Sequence, residues 1–324
     1  MSSWASLSEG TDVDKLTSIL VVADRTDADR ALLDKAVLLA RSLGAQIFLF
    51  SCDAALAKAI HHTQSSEDAE KSRQITLDEH LAYLRALRAA VRARDVQISV
   101  DVGCASPLFE AIVQKAAEIR ADLVMKSPSG SHPLRRFAFD SSDWHLMREC
   151  PATLMLVRHR RWRTAPTFAA MVNVSEESTA RLAEAIIHTS EYFALGCGGE
   201  LDVVYSESSA DAREQSERLC ALERLTQEYH IRAAHVHVLS GDPDVTLPDF
   251  AARHQYDALI LGGLTHRRGI APLIGTLTGK LVETLDTDFI LVKRDVAVPA
   301  EPSHPENRGS HVGSGVAWQA LFGD

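Results

Sequence analysis

YDALILGGLTHRRGIAPLIGT, Tyr256 to Thr276, runs from an apolar segment through a glycine pair into the opening of a helical pattern. The continuous apolar run ALIL at Ala258–Leu261 is that of a strand buried on both faces, because a half-exposed strand alternates instead. Gly262 and Gly263 let the backbone leave such a strand steeply and approach a ligand closely. Gly275-Thr276 then opens a helix, whose unpaired N–H groups and positive dipole end favour an anion. Thr276 and Thr278 add hydroxyl donors, and Arg267 and Arg268 are within reach of a bound phosphate as guanidinium forks. Strand-to-helix corners also use Gly-Thr merely for capping and steep turning, and the two arginines equally suit a solvated loop. Neither a P-loop nor a dinucleotide fingerprint is present: no Lys follows the last glycine, and the first strand, ILVVADRTD (Ile19–Asp27), carries no glycine.

Outward from this corner, short apolar runs alternate with helix-periodic segments, the pattern of a parallel sheet covered by helices. The first half predicts strands at Ile19–Ala23, Ile47–Phe50, Val96–Val100, Leu123–Met125 and Thr153–Val157. Its helices fall at Asp27–Leu43, Glu67–Arg94, Pro107–Ile119 and Ser142–Arg148, with Gly44 as a stop and Pro107 as a start. The second half repeats the order, with strands at Ala169–Val174, Leu201–Tyr205, His235–Leu239, Ala258–Leu261 and Phe289–Val292. Helices follow at Glu176–Leu195, Arg213–His230, Leu247–His254 and Gly275–Leu285. Val157 and Val292 end matching strands at an offset of 135 residues, which also pairs Asp122 of ADLVMKS with Asp257 of YDALILG. Such self-similarity decides the fold class as α/β, two tandem five-stranded parallel open-sheet units. Upstream the register slips, Asp24 pairing best with Asn173, which an insertion in the second helix of the first half explains. The basic, proline-containing junction Arg158–Thr167 separates a unit at 16–160 from one at 167–294, with tails at 1–15 and 295–324.

Composition narrows the function. The 324 residues carry a net charge of −10, a pI near 5.8, 46% hydrophobic and 24% charged residues, an ordinary globular balance that should repel nucleic acid. No apolar stretch approaches the roughly 20 residues of a membrane span, and the N-terminus lacks a secretory pattern, so a cytoplasmic location is expected. Cys52, Cys104, Cys150, Cys197 and Cys220 are odd in number and widely spaced, which suits reduced thiols rather than disulfides or a zinc site. His61-His62 and His235-x-His237 lack a third ligand at metal-like spacing, so no metal is expected. No carboxylate, His or Lys takes an acid–base role facing the loop, so no catalytic residue is assigned.

The spacing Gly262-x-x-Thr265, nine residues, then Gly275-Thr276 resembles the G-x-x-G-x9-G-[ST] loop of the universal stress protein family. SSDWHLMRECPATLMLV (Ser141–Val157) resembles the D-W-H-L run before the last strand in the family's tandem, E-type branch. The resemblance spans both halves and implies, per copy, a five-stranded unit of the adenine nucleotide alpha hydrolase-like kind. It implies a non-catalytic stress-response protein that binds ATP, another adenine nucleotide or a different small phosphorylated ligand. The implied site in the second copy comprises Asn173, Leu261, Gly262, Gly263, Thr265, Gly275, Thr276 and Thr278, with Arg267 and Arg268 assisting. Thr265 departs from the second glycine, and Asn173 from the first-strand acid. In the first copy Asp24 keeps the acid, but Ser127 and Asp140 stand at the first and last glycine positions, and a carboxylate at a helix N-terminus repels phosphate. That site is expected to be degenerate, and an interaction scaffold with vestigial or repurposed pockets is the alternative. The apolar final strands TLMLVRH and FILVKRD are expected to pair within the chain as a pseudo-dimer, with homo-oligomerisation left open.

Overall fold

The computed structural model describes residues 16–52, 66–103, 106–128, 130–132, 135–175, 177–265, 273–274 and 276–293. Arg267, Arg268, Gly275, Cys104, His61 and His62 lie outside them, as do both tails. The first half runs β1 (Ser18–Val22), α1 (Ala28–Leu43), β2 (Gln46–Cys52), α2 (Ser66–Ala90), β3 (Ile98–Gly103), α3 (Leu108–Glu118), β4 (Leu123–Lys126), a ribbon of β5 (Gly130–His132) and β6 (Arg135–Ala138), α4 (Ser141–Glu149) and β7 (Thr153–Leu156). The second runs β8 (Thr167–Met171), α5 (Glu177–Cys197), β9 (Glu200–Glu207), α6 (Ala212–Glu228), β10 (Val236–Ser240), α7 (Pro243–His254), β11 (Ala258–Gly262), a ribbon of β12 (Leu264–Thr265) and β13 (Leu273–Ile274), α8 (Thr276–Thr284) and β14 (Asp288–Val292).

The apolar runs become the central strands because helices cover both sheet faces: every residue of SILVV in β1 and of DFILV in β14 is buried. Gly44 ends α1 in the left-handed conformation, as its position predicts. The two ribbons were not legible beforehand, since strands this short show no periodicity. They are nevertheless equivalent, Gly130 pairing with Ala138 and Thr265 with Leu273 at the same 135-residue offset. Asp122 and Asp257 explain their own correspondence. Each carboxylate accepts from the backbone at the start of its unit's first strand, Asp122 from Thr17 N at 2.7 Å and Ser18 N at 2.9 Å, Asp257 from Thr167 N at 2.9 Å.

Ten of the fourteen strands among the described residues form one sheet in the order β10-β9-β8-β11-β14-β7-β4-β1-β2-β3. Within this sheet every pairing inside a half is parallel, and β14 and β7 alone meet antiparallel, with Ile290 opposite Met155. Those two residues are themselves equivalent at the 135-residue offset, so the pseudo-twofold axis passes through that pair. Side chains then cross the axis reciprocally. Arg158 Nη2 donates to Val282 O at 2.8 Å near the end of α8, while its counterpart Lys293 donates to Leu146 O at 3.2 Å and Cys150 O at 2.6 Å at the end of α4. Each cation thus bonds carbonyls in the last turn of the other half's last helix and opposes its dipole. Burial pushes the Lys293 ammonium down to about 8, against the pull of Cys150 and Glu149.

One buried node breaks the symmetry. Asp288 is 1% exposed and accepts from Lys35 Nζ at 2.6 Å, Arg158 N at 2.7 Å and Trp162 Nε1 at 2.7 Å, while Lys35 also donates to Arg158 O at 2.9 Å. The start of the basic junction is therefore anchored by α1 of one half and β14 of the other. Removing Asp288 would leave the buried Lys35 without its counter-charge. Asp288→Ala is expected to cost ~3–5 kcal/mol in urea unfolding, with part recovered by adding Lys35→Met; an unchanged unfolding midpoint would contradict this role.

Candidate functional site

In both halves strand order reverses between the first and fourth strands, and a ligand crevice belongs at their carboxyl ends. In the second half a cavity of about 110 Å³ opens there, its lining including Asn173, Ser175, Tyr205, Ser206, Arg218 and Leu277. Asn173, just past β8, is exposed, and its Oδ1 accepts from Ser175 N at 2.9 Å, an Asx turn that fixes the amide. Among the described residues expected at the site, Asn173 lines this cavity.

The glycine corner has structural reasons of its own. A Cβ on Gly262 would come within 2.5 Å of Leu182 Cδ2 on α5, so glycine there admits helix packing. Gly263 donates its N–H to Val292 O at 2.8 Å, and a Cβ on it would sit 3.2 Å from Lys293 Cγ. Leu261 is 3% exposed and belongs to the core. Thr265 pairs with Leu273 in the ribbon, Thr276 begins α8, and Thr278 Oγ1 donates to Gly262 O at 3.3 Å.

The first half fills the same corner with charge. Lys126, at the end of β4, is fully buried and pairs with Asp24 Oδ2 at 2.8 Å and Asp143 Oδ1 at 3.0 Å, while donating to Ser127 O at 2.9 Å. Asp140 caps α4 by accepting from Asp143 N at 2.8 Å, and Asp143 Oδ2 accepts from Asp140 N at 3.2 Å, a reciprocal capping box. Those backbone donors are occupied by the protein's own carboxylates. Equivalence by the strand registers sets Asp24, Lys126 and Asp143 against Asn173, Leu261 and Thr278, so a charged triad in one half faces three neutral side chains in the other. Sequence reasoning passed over Lys126, although a lysine closing the apolar run LVMK, where the repeat has leucine, was a visible signal. The D-W-H-L run is accounted for in the same helix: Asp143 holds Lys126, Trp144 lies against Gly279 of α8 across the pseudo-axis, His145 stacks on Phe109 and Leu146 is buried.

Other sequence candidates have ordinary partners. His235 Nδ1 and Asp202 Oδ1 are 2.7 Å apart, and His237 Nε2 lies 3.2 Å from Asp202 Oδ2, so both histidines share one carboxylate at an edge of the sheet. Among the described residues no group of three or more His, Cys, Asp and Glu is arranged to hold a metal, and no helix is long and apolar enough to cross a membrane.

Residues 15–158 match the model of the Universal stress protein family, so the first half belongs to that family, and the same strand order recurs after Thr167. A role in the stress response goes with that membership. The chain is similar to Universal stress protein E of Salmonella typhi and of Escherichia coli K12, at 24% identity over 298 residues covering 86% of this chain and 94% of each relative. Its fold matches a universal stress protein from Archaeoglobus fulgidus DSM 4304 with a TM-score of 0.63 at 12% identity, covering 87% of this chain and 100% of that one.

For Lys126, burial lowers the pKa, but Asp143 and Asp24 more than reverse this and the net shift is upward from 10.5. A cationic group whose pKa rises on folding stabilises fully below its unfolded value and loses that contribution as pH climbs through the folded one. Lys126→Met, which leaves two carboxylates facing without their cation, is therefore expected to destabilise by ~3–5 kcal/mol at neutral pH. On the alkaline side the difference from wild type should begin to shrink only above pH 10.5; a gap that closes near neutrality would contradict the assignment.

Proposed function

We propose that the second half binds an ATP-like nucleotide, or another phosphorylated ligand, at the carboxyl ends of β8, β9 and β11, while the first half serves as scaffold. The protein acts without catalysis, in the cytosol. The supporting observation is the contrast between equivalent corners: Lys126 and its two aspartates fill one, whereas the other has neutral side chains beside a cavity that Leu277, at the start of α8, helps to line. In this assignment the ligand's ring occupies the cavity near Asn173 and its phosphates lie toward Thr276, with Arg267 and Arg268 assisting.

Isothermal titration of the full chain, stripped of copurified ligand, against ATP, ADP and AMP tests the proposal. Binding in the micromolar range is expected, abolished by Leu277→Trp, which fills the cavity, and retained in Ser142→Trp, its counterpart in the first half. Absence of heat, together with no protection of the second half in hydrogen exchange, would reject it.

A second assignment, an interaction scaffold whose pocket is vestigial or takes a non-nucleotide anionic or amphiphilic ligand, is favoured by one feature. The packing of Leu182 accounts for Gly262, and the Thr278 hydroxyl is committed to a backbone carbonyl. Native mass spectrometry of freshly isolated protein separates the two: an empty protein supports the vestigial pocket, a retained non-nucleotide mass the repurposed one, and a retained nucleotide mass the first proposal.

A further inference from the structure

Most polar groups around the cavity of the second half are already committed to the protein. The Tyr205 hydroxyl donates to Glu207 Oε2 at 2.8 Å, and Ser206 Oγ bonds Gly241 O at 3.0 Å and Thr246 Oγ1 at 2.7 Å. Arg218, the cation of this wall, lies 3.1 Å from Glu207 Oε1 through Nη1 and 3.2 Å from Glu214 Oε2 through Nη2. The charge of this guanidinium is therefore already balanced within the protein by Glu207 and Glu214. Beside Arg218, the lining carries uncharged groups with no partner among the described residues: the Asn173 amide nitrogen and the hydroxyls of Ser175 and Ser208. Such a lining, with apolar contact from Leu247 and Leu277, suits a neutral ring.

The amide of Asn173 has a fixed polarity. Its oxygen is held by Ser175 N–H, which assigns the other corner, Nδ2, as a pair of donors. An aspartate in this position, such as Asp24 in the first half, would offer acceptors only. We propose that Asn173 makes the cavity select a ring bearing a carbonyl acceptor at the edge it meets, such as a 6-oxopurine, over one bearing an exocyclic amine there. This rests on the second half binding a nucleotide-like ligand and adds the class of ring. An amine set against Nδ2 pairs donor with donor and leaves both unsatisfied, which is the more costly mismatch in a partly enclosed site.

Inosine and adenosine 5′-monophosphate differ in this edge and share the sugar and phosphate, so paired calorimetric titrations of the stripped full chain isolate it. Wild type is expected to bind the inosine nucleotide more tightly by on the order of tenfold. Asn173→Asp keeps the acceptor for Ser175 N–H and is expected to reverse the order. Equal or tighter binding of the adenosine nucleotide by wild type, or an unchanged ratio in Asn173→Asp, overturns the selectivity while leaving ligand binding intact. Failure of both nucleotides to bind wild type overturns the underlying proposal with it.

Discussion

The antiparallel pairing of β7 with β14 is the constraint from which the rest of the molecule follows. Each five-stranded half taken alone would expose this apolar strand as an unpaired sheet edge, with a row of open N–H and C=O groups. Joining the two edges makes a ten-stranded sheet and carries the cores on both faces across the seam. Met155 opposite Ile290 fixes the register, and Arg158 and Lys293, two residues beyond the last paired positions, exchange helix caps across it. Asp288 then ties the junction to the seam, so that α1, β14 and the start of the connecting segment share one buried carboxylate. The price of burying that ion pair is met by three further hydrogen bonds, two donated to Asp288 and one donated by Lys35, and such networks specify one arrangement more than they add stability.

Much of this arrangement was legible in the residues. Alternating apolar and helix-periodic segments give the strand and helix order, and the 135-residue offset gives the repeat, because buried parallel strands leave continuous runs such as ILVV and FILV. The seam followed from the apolar character of TLMLV and FILV. Boundaries drifted where ends depend on capping rather than pattern. The helix expected from Leu247 begins at Pro243, with Asp242 as its cap, and the strand expected at Val96–Val100 is found at Ile98–Gly103. The ribbons went unseen because their strands are too short for any period, and their pairing is set by the surrounding corner.

The site was less legible than the fold, since the same residue type serves packing and binding alike. Gly262 looks like an opening for a ligand in the sequence, yet Leu182, remote in the chain, is what fills the space above it. Lys126 is a single lysine in a strand until Asp24 and Asp143 are brought to it from two other elements. Its burial makes physical sense only as a set, because an unpaired ammonium in that position would be strongly disfavoured. Exchanging the triad for Asn173, Leu261 and Thr278 removes the internal cation and both carboxylates at once, and it is this coordinated change that distinguishes the halves.

Through the β7–β14 seam the two halves form one cooperative body. Native-state amide hydrogen exchange with increasing denaturant tests it most directly. The expected result is that Leu154–Leu156, Phe289–Leu291 and the central strands β1 and β8 exchange through a single global opening with one free energy. Loss of protection in the core of one half while the other stays protected would contradict it.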